Sequence, residues 1–250
     1  MILSRSIVAS VGLFVPLSLH AQDKKDAVPR VIAVAPIHLT SGEKTILRFR
    51  GDKLKDATEV RVTPASAAVL KEKKDATVPN GLEAKDVGNT EVAIELTPPA
   101  DCTKLTLQLV TPGGTTEPRE ITVLPKNACT AEKEPNNGFR EAQKIDPAKP
   151  VSGKIDADKD VDVFRFDAYA GKSFTARVIA ADAGSLLDPI LSLYDLGGHF
   201  LASADDTAGS RDPVLTFTPK KNGPLCLVIT DAQDRGGEWH AYRLEFSQKP

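Results

Sequence analysis

The strongest constraint on this chain is an alternation of period two. Val92, Ile94 and Leu96 alternate with Glu91, Ala93 and Glu95, and Leu105, Leu107 and Leu109 alternate with Lys104, Thr106 and Gln108. Successive side chains of a strand point to opposite faces, so this pattern describes strands with one buried face. Shorter runs at residues 31–34, 45–49, 59–62 and 120–124 follow the same rule, and turn residues such as Ser41-Gly42, Pro64 and Pro112-Gly113-Gly114 separate them. Half-buried strands joined by short turns pack as antiparallel sandwiches. Residues 65–74 are the one stretch here that suits a short helix, and residues 80–89 read as a loop or hairpin crossing.

A second series begins at residue 151. Short runs at 151–155, 162–166, 173–179, 189–194, 200–202, 214–217, 225–230 and 239–246 are separated by turn signals such as Ala170-Gly171 and Gly197-Gly198. That cadence is the one a jelly roll or a related sandwich produces. Neither half contains a long amphipathic helix. The sequence therefore predicts an all-β protein of two β-sandwich domains, at residues 28–125 and 132–248, with a linker at 126–131. Residues 22–30 read as a leader ahead of the first strand.

Several function classes are disfavoured. Net charge is −2 and no basic stripe is present, so nothing points to nucleic acid. Arg5 followed by an apolar run to Leu19, with Leu19-His20-Ala21 before Gln22, reads as a secretory signal at residues 1–21. That run is shorter than the roughly 20 residues of a transmembrane helix. A retained anchor is the other reading of this segment, and the mature chain has no further candidate span. The expected location is secreted, periplasmic or cell-surface. Cys102, Cys129 and Cys226 contain no Cys-x-x-Cys, so thiolate zinc has no support. Export permits a disulfide: Cys102 and Cys129 either form a staple or remain thiols, and Cys226 reads as a buried thiol. His38, His199 and His240 lie in separate segments with no zinc-helix spacing. No Gly-x-Ser-x-Gly elbow is present, Gly113-Gly114 and Gly236-Gly237 read as hairpin turns, and Ser210 reads as a turn serine. Trp239 reads as a core residue of the last strand. The chain is expected not to be an enzyme.

Two acidic clusters stand out between the halves. The first is Glu132-Lys133-Glu134-Pro135-Asn136-Asn137, and the second is the run from Asp156 through Asp158 and Asp160 to Asp162. Oxygen-bearing side chains recur at alternate positions in both. Calcium takes six to eight oxygen ligands from carboxylates, amides and carbonyls. Charge runs are also common on solvated surfaces. On the residues alone both readings stand.

The chain resembles two known families. Pro36, Ser41-Gly42-Glu43, residues 46–49, Gly51-Asp52-Lys53-Leu54 and Pro112-Gly113-Gly114 resemble the IPT/TIG type of immunoglobulin-like module. Glu134-Pro135-Asn136-Asn137, Asp160-Val161-Asp162-Val163-Phe164-Arg165-Phe166, Ala170-Gly171, the segment from Leu187 to Asp195, Asp205-Asp206 and Tyr242-Arg243-Leu244 resemble the bacterial pre-peptidase C-terminal domain, a relative of collagenase collagen-binding domains. The resemblance implies an immunoglobulin-like sandwich followed by a jelly-roll-like one. It also implies a Ca2+ site formed by Glu132, Glu134, Asn136 and Asn137 with Asp158, Asp160 and Asp162. Asn137 stands where a carboxylate occurs in relatives, which lowers site charge. Gly223-Pro224-Leu225 stands where relatives have Gly-x-Tyr, which argues against collagen recognition. The expected function is a secreted, non-catalytic protein whose calcium-stabilised second sandwich binds an extracellular polymer or partner, a protein or a polysaccharide. The alternative is an accessory factor, for export, folding or inhibition, of a separately encoded secreted peptidase.

Overall fold

The computed structural model describes residues 28–79 and 81–248. The expected signal at residues 1–21 lies outside them. The first sandwich contains β1 (Arg30–Ala35), β2 (His38–Thr40), β3 (Thr45–Asp52), β4 (Glu59–Thr63), β5 (Ala68–Asp75), α1 (Ala84–Val87), β6 (Thr90–Leu96), β7 (Lys104–Thr111), β8 (Gly114–Thr115) and β9 (Arg119–Leu124). One sheet has the order β1-β3-β6-β5 and the other β2-β9-β7-β4, with β8 beside β7. The alternation read from the sequence decides which side chains meet. Leu105, Leu107 and Leu109 of β7 are fully buried and face Leu47, Phe49, Ile94 and Leu96 of the opposite sheet in one core. Each such leucine contributes about 1.5–3 kcal/mol by leaving water.

Residues 65–74 do not form the helix their composition suits. Most of them lie in β5, an edge strand. Ala68 and Leu70 turn partly inward, the register on β6 slips between Leu70 and Glu72, and residues 71–75 are exposed. Charged residues on an edge strand discourage pairing with other chains, so a lysine-rich stretch with good helix formers is used as strand. The short helix is α1, a single turn inside the 80–89 stretch, ended by Gly88 at φ 77°.

The second sandwich contains β10 (Thr130–Ala131), β11 (Gln143–Lys144), β12 (Val151–Lys154), β13 (Asp162–Ala168), β14 (Phe174–Ile179), β15 (Pro189–Asp195), β16 (Phe200–Ala204), β17 (Val214–Phe217), β18 (Gly223–Asp231) and β19 (Ala241–Gln248). Its sheets have the orders β10-β12-β19-β14-β17 and β11-β13-β18-β15-β16. Each carries one parallel pair at an edge, β10 with β12 and β11 with β13. Phe164, Val178, Leu191, Leu193, Leu227, Ile229 and Leu244 fill the space between them. Phe166 meets Phe174 and Phe246 edge-on at 5.1 and 5.2 Å. The chain is thus all-β, built as two sandwiches with separate cores.

The sandwiches meet along a seam. The Val34 amide donates to the Gly184 carbonyl at 2.9 Å, and Arg48 pairs with Glu238. Trp239 lies before β19, not in it. It packs in this seam against Ala33, Ala35 and Leu186, with the Arg50 guanidinium 6.0 Å from its ring centre. Gly236-Gly237 form no hairpin turn. They lie on the crossover from β18 to β19, which belong to different sheets. All three cysteines are free thiols. Cys102 turns its Sγ to the Lys104 carbonyl at 2.7 Å, and Cys129 lies in the joint beside Leu124 and Pro125, so no staple forms. Among the described residues no helix is long and apolar enough to cross a membrane.

Candidate metal centre

Residues 132–136 leave β10 and run over the end of the second sandwich. There they meet the first residue of β13 and the start of β19. Asp162 begins β13 opposite Ile229 of β18 and is fully buried. Tyr242 of β19 is fully buried and pairs with Gly153 of β12. The missing side chain at Gly153 is what lets the groups converge. A Cβ there would lie 2.5 Å from the Tyr242 hydroxyl and 2.6 Å from Glu132 Oε2.

One oxygen each from Glu132, Glu134 and Asp162 lies within 4.8 Å of the other two. Glu132 is fixed by three donors: Tyr242 Oη at 2.7 Å and Asn136 Nδ2 at 2.9 Å to Oε1, and the Lys154 amide at 2.7 Å to Oε2. Tyr242 Oη also lies 2.6 Å from Asp162 Oδ2. One hydroxyl proton cannot serve two carboxylates, so the second contact needs a second proton, and Asp162 is the group that holds it. Burial, then the neighbouring Glu132 charge, push its carboxyl up to about 9. Partial burial pushes Glu134 up, and burial beside Asp162 and Glu132 pushes Tyr242 up.

Two oxygens here have no partner among the described residues. Asn136 is fully buried, its carbonyl accepts from the Val163 amide at 3.0 Å, and its Oδ1 accepts from nothing among the described residues. Asp162 Oδ1 is likewise buried and unpartnered. Buried polar atoms are normally paired, and exceptions need a reason. A hard cation supplies one: the donors are all oxygens, with no sulfur or imidazole among them, as calcium requires.

The structure brings together part of the expected ligand set. Glu132, Glu134, Asn136 and Asp162 converge. Asn137 is exposed, with Oδ1 3.3 Å from the Asn136 amide. Asp160 uses its carboxylate on the loop, accepting from the Asp156 amide at 2.6 Å and the Val161 amide at 2.9 Å. Asp158 accepts from the Gly236 amide at 3.2 Å. These two acids shape the loop between β12 and β13, while Asp160 still adds charge near Glu134 and Asp162. Tyr242 and Gly153 were absent from the expected site. Tyr242 carried a signal, since it belongs to the motif of the last strand, but nothing in its neighbours shows that it reaches a residue 110 positions earlier. Asp205 and Asp206 are exposed. His199 pairs with Asp195 at 3.0 Å on the surface.

No protein-family model matches the chain, and no curated protein matches it. Solved structures do. The chain is similar to the pre-peptidase C-terminal domain of a collagenase from Bacillus anthracis, at 16% identity and TM-score 0.36, over 46% of this chain and 100% of that one. It is similar to the secreted serine protease VesC of Vibrio cholerae at 9% identity and TM-score 0.30, over 85% of this chain and 48% of that one. It is similar to SGBP-B of the Bacteroides ovatus mixed-linkage glucan utilization locus, solved with a mixed-linkage heptasaccharide, at 11% identity and TM-score 0.27, over 88% of this chain and 53% of that one. The chain spans about half the length of the latter two.

Proposed function

We propose that this is an exported, non-catalytic protein whose second sandwich is stabilised by calcium and which binds an extracellular protein or polysaccharide. The observation that carries the metal half is the convergence of Glu132, Glu134 and Asp162 around the unpartnered oxygens of Asn136 and Asp162. Without a cation these acids repel one another and one stays protonated. A divalent ion offsets that repulsion and gives the orphaned oxygens a partner. Binding would also tie residues 132–136 to β12, β13 and β19. An ion that binds only the folded state raises stability by mass action.

Thermal unfolding in EDTA, in millimolar calcium and in millimolar magnesium tests this. Calcium is expected to raise the midpoint by about 5 °C or more when it exceeds its Kd about 100-fold. Magnesium is expected to do less, because it demands a tight octahedral shell that this mixed set of side chains does not offer. A midpoint identical in calcium and EDTA would remove the metal from the function.

A further inference from the structure

A cavity of about 690 Å3 opens on the seam between the sandwiches, within the range of small-ligand sites. Its lining residues carry several buried polar atoms without a partner among the described residues: Arg119 Nε and Nη2, Asp188 Oδ1 and His240 Nδ1. Arg119 is the informative one. It begins β9, and its guanidinium lies against Gly184, where any Cβ would strike Nη2. Nε and Nη2 form one edge of the guanidinium, with two parallel N–H bonds. That edge matches the two oxygens of a carboxylate.

We propose that the seam cavity binds the free C-terminal carboxylate of a peptide on the Nε–Nη2 edge of Arg119. Five acids line the cavity, and three of them are engaged elsewhere. Asp158 and Asp231 accept backbone amides, and Glu238 pairs with Arg48. The acids disfavour a polyanion, whereas a single carboxylate matches the one buried guanidinium edge that lacks a partner; Arg211 and Arg235 add positive charge to the same lining. The orphaned Asp188 Oδ1 needs a donor, which a peptide N–H supplies. Burial holds the His240 imidazole below its usual range, so it is neutral and takes a peptide N–H or C=O according to its tautomer. Ile32, Leu82, Val87 and Leu186 give an apolar wall for a side chain. A uronic sugar would satisfy Arg119 equally well, but sugars want an open aromatic face. Trp239 offers none, since it is 8% exposed and packed between Arg50 and small apolar residues.

This inference gives a place to the partner-binding half of the proposed function and rests on that half alone. Trp239 is the single tryptophan and lines the cavity, so its fluorescence reports occupancy. The full chain is titrated with a Trp-free, mixed-sequence tetrapeptide pool, as free acids and as C-terminal amides, and with tri-galacturonate. Each titration is run in calcium and in EDTA. The acid pool is expected to bind at least tenfold tighter than the amide pool. Arg119→Gln is expected to erase that preference, and Arg211→Gln, at the exposed rim, to weaken acid binding severalfold. Thermal midpoints of both variants confirm that they fold. If Arg119→Gln does not fold, the acid-over-amide preference and the Arg211→Gln result decide. Equal binding of acids and amides, no binding of either pool, or binding of tri-galacturonate alone would overturn the proposal. The calcium increment in the midpoint is a separate readout, so failure of the metal and failure of the peptide site are distinguishable.

Discussion

The acid cluster of the second sandwich and the arginine edge of the seam have opposite charge and the same defect. Seven buried side-chain polar atoms lack a partner among the described residues, and six of them belong to these two places. The cluster is assembled inside one sandwich, by β12, β13, β19 and the segment ahead of them. The cavity exists only because two sandwiches meet. A site of the first kind survives as long as its own sandwich is folded. A site of the second kind depends also on the docking of its neighbour. Each is open to attack by changes that leave the other untouched.

The largest effect is expected from Asp162→Asn. Without metal the folded protein must keep a proton on Asp162 that the unfolded chain releases at neutral pH, and a neutral amide removes that cost, so the midpoint in EDTA should rise. The same change should abolish the calcium increment, a loss of about 3 kcal/mol at 100-fold excess over Kd. A calcium increment of unchanged size in this variant would detach the ion from the cluster.

Acid tests the joint, where the seventh unpartnered atom lies outside both places. His38 of β2 is half-buried, its Nδ1 is buried without a partner among the described residues, and Arg243 of β19 faces it across the joint, with Glu43 and Lys126 on the same small cavity. Burial, then the Arg243 charge, lower its pKa to about 4. The unfolded chain, at the ordinary 6.5, takes up the proton first, so this contribution to stability is whole above pH 6.5 and is lost as pH falls towards 4. Between pH 7.5 and pH 5 the loss should be about 2 kcal/mol, read as the change in the stability difference between wild type and His38→Gln. A difference that stays flat over this range would mean that His38 takes up its proton without penalty.

Arg119→Met should raise the stability of the protein free of peptide by about 1–2 kcal/mol, because it removes a desolvated guanidinium edge without a partner and keeps the volume. Its calcium increment should equal that of wild type. The smallest effect is expected from Glu238→Gln. Its ion pair with Arg48 crosses the seam, but both side chains are exposed (49% and 38%), and such pairs contribute about 0.5 kcal/mol or less. A destabilisation of several kcal/mol by this change would show that the docking of the two sandwiches hangs on one pair.

The legible part of the molecule is the part governed by neighbours in sequence. β6 and β7 were visible because Val92 to Leu96 and Leu105 to Leu109 alternate against polar partners. Residues 65–74 misled because lysine and glutamate suit an exposed helix as well as an exposed edge, and only β6 beside them decides. Glu132, Glu134 and Asp162 were legible as oxygen donors, since their clusters are local. Asp158 and Asp160 looked the same but serve backbone amides, a difference made by loop geometry and not by residue type. Arg119 opens an ordinary alternating strand. Nothing in its surroundings shows that it will face a cavity built by residues of the other sandwich.

The position of Glu132 has a mechanical consequence. The chain leaves the first sandwich at the end of β9, crosses residues 125–129 and is caught by the two-residue strand β10, and Glu132 follows at once. Tension applied through this joint reaches Glu132 after only two paired residues. Its bonds run to Lys154, Asn136 and Tyr242, so they take up the pull next. A cation held there would act as a rivet between the joint and the sheet. The stiffness of the joint under tension would then follow the supply of that cation, even where the resting shape of the protein does not change.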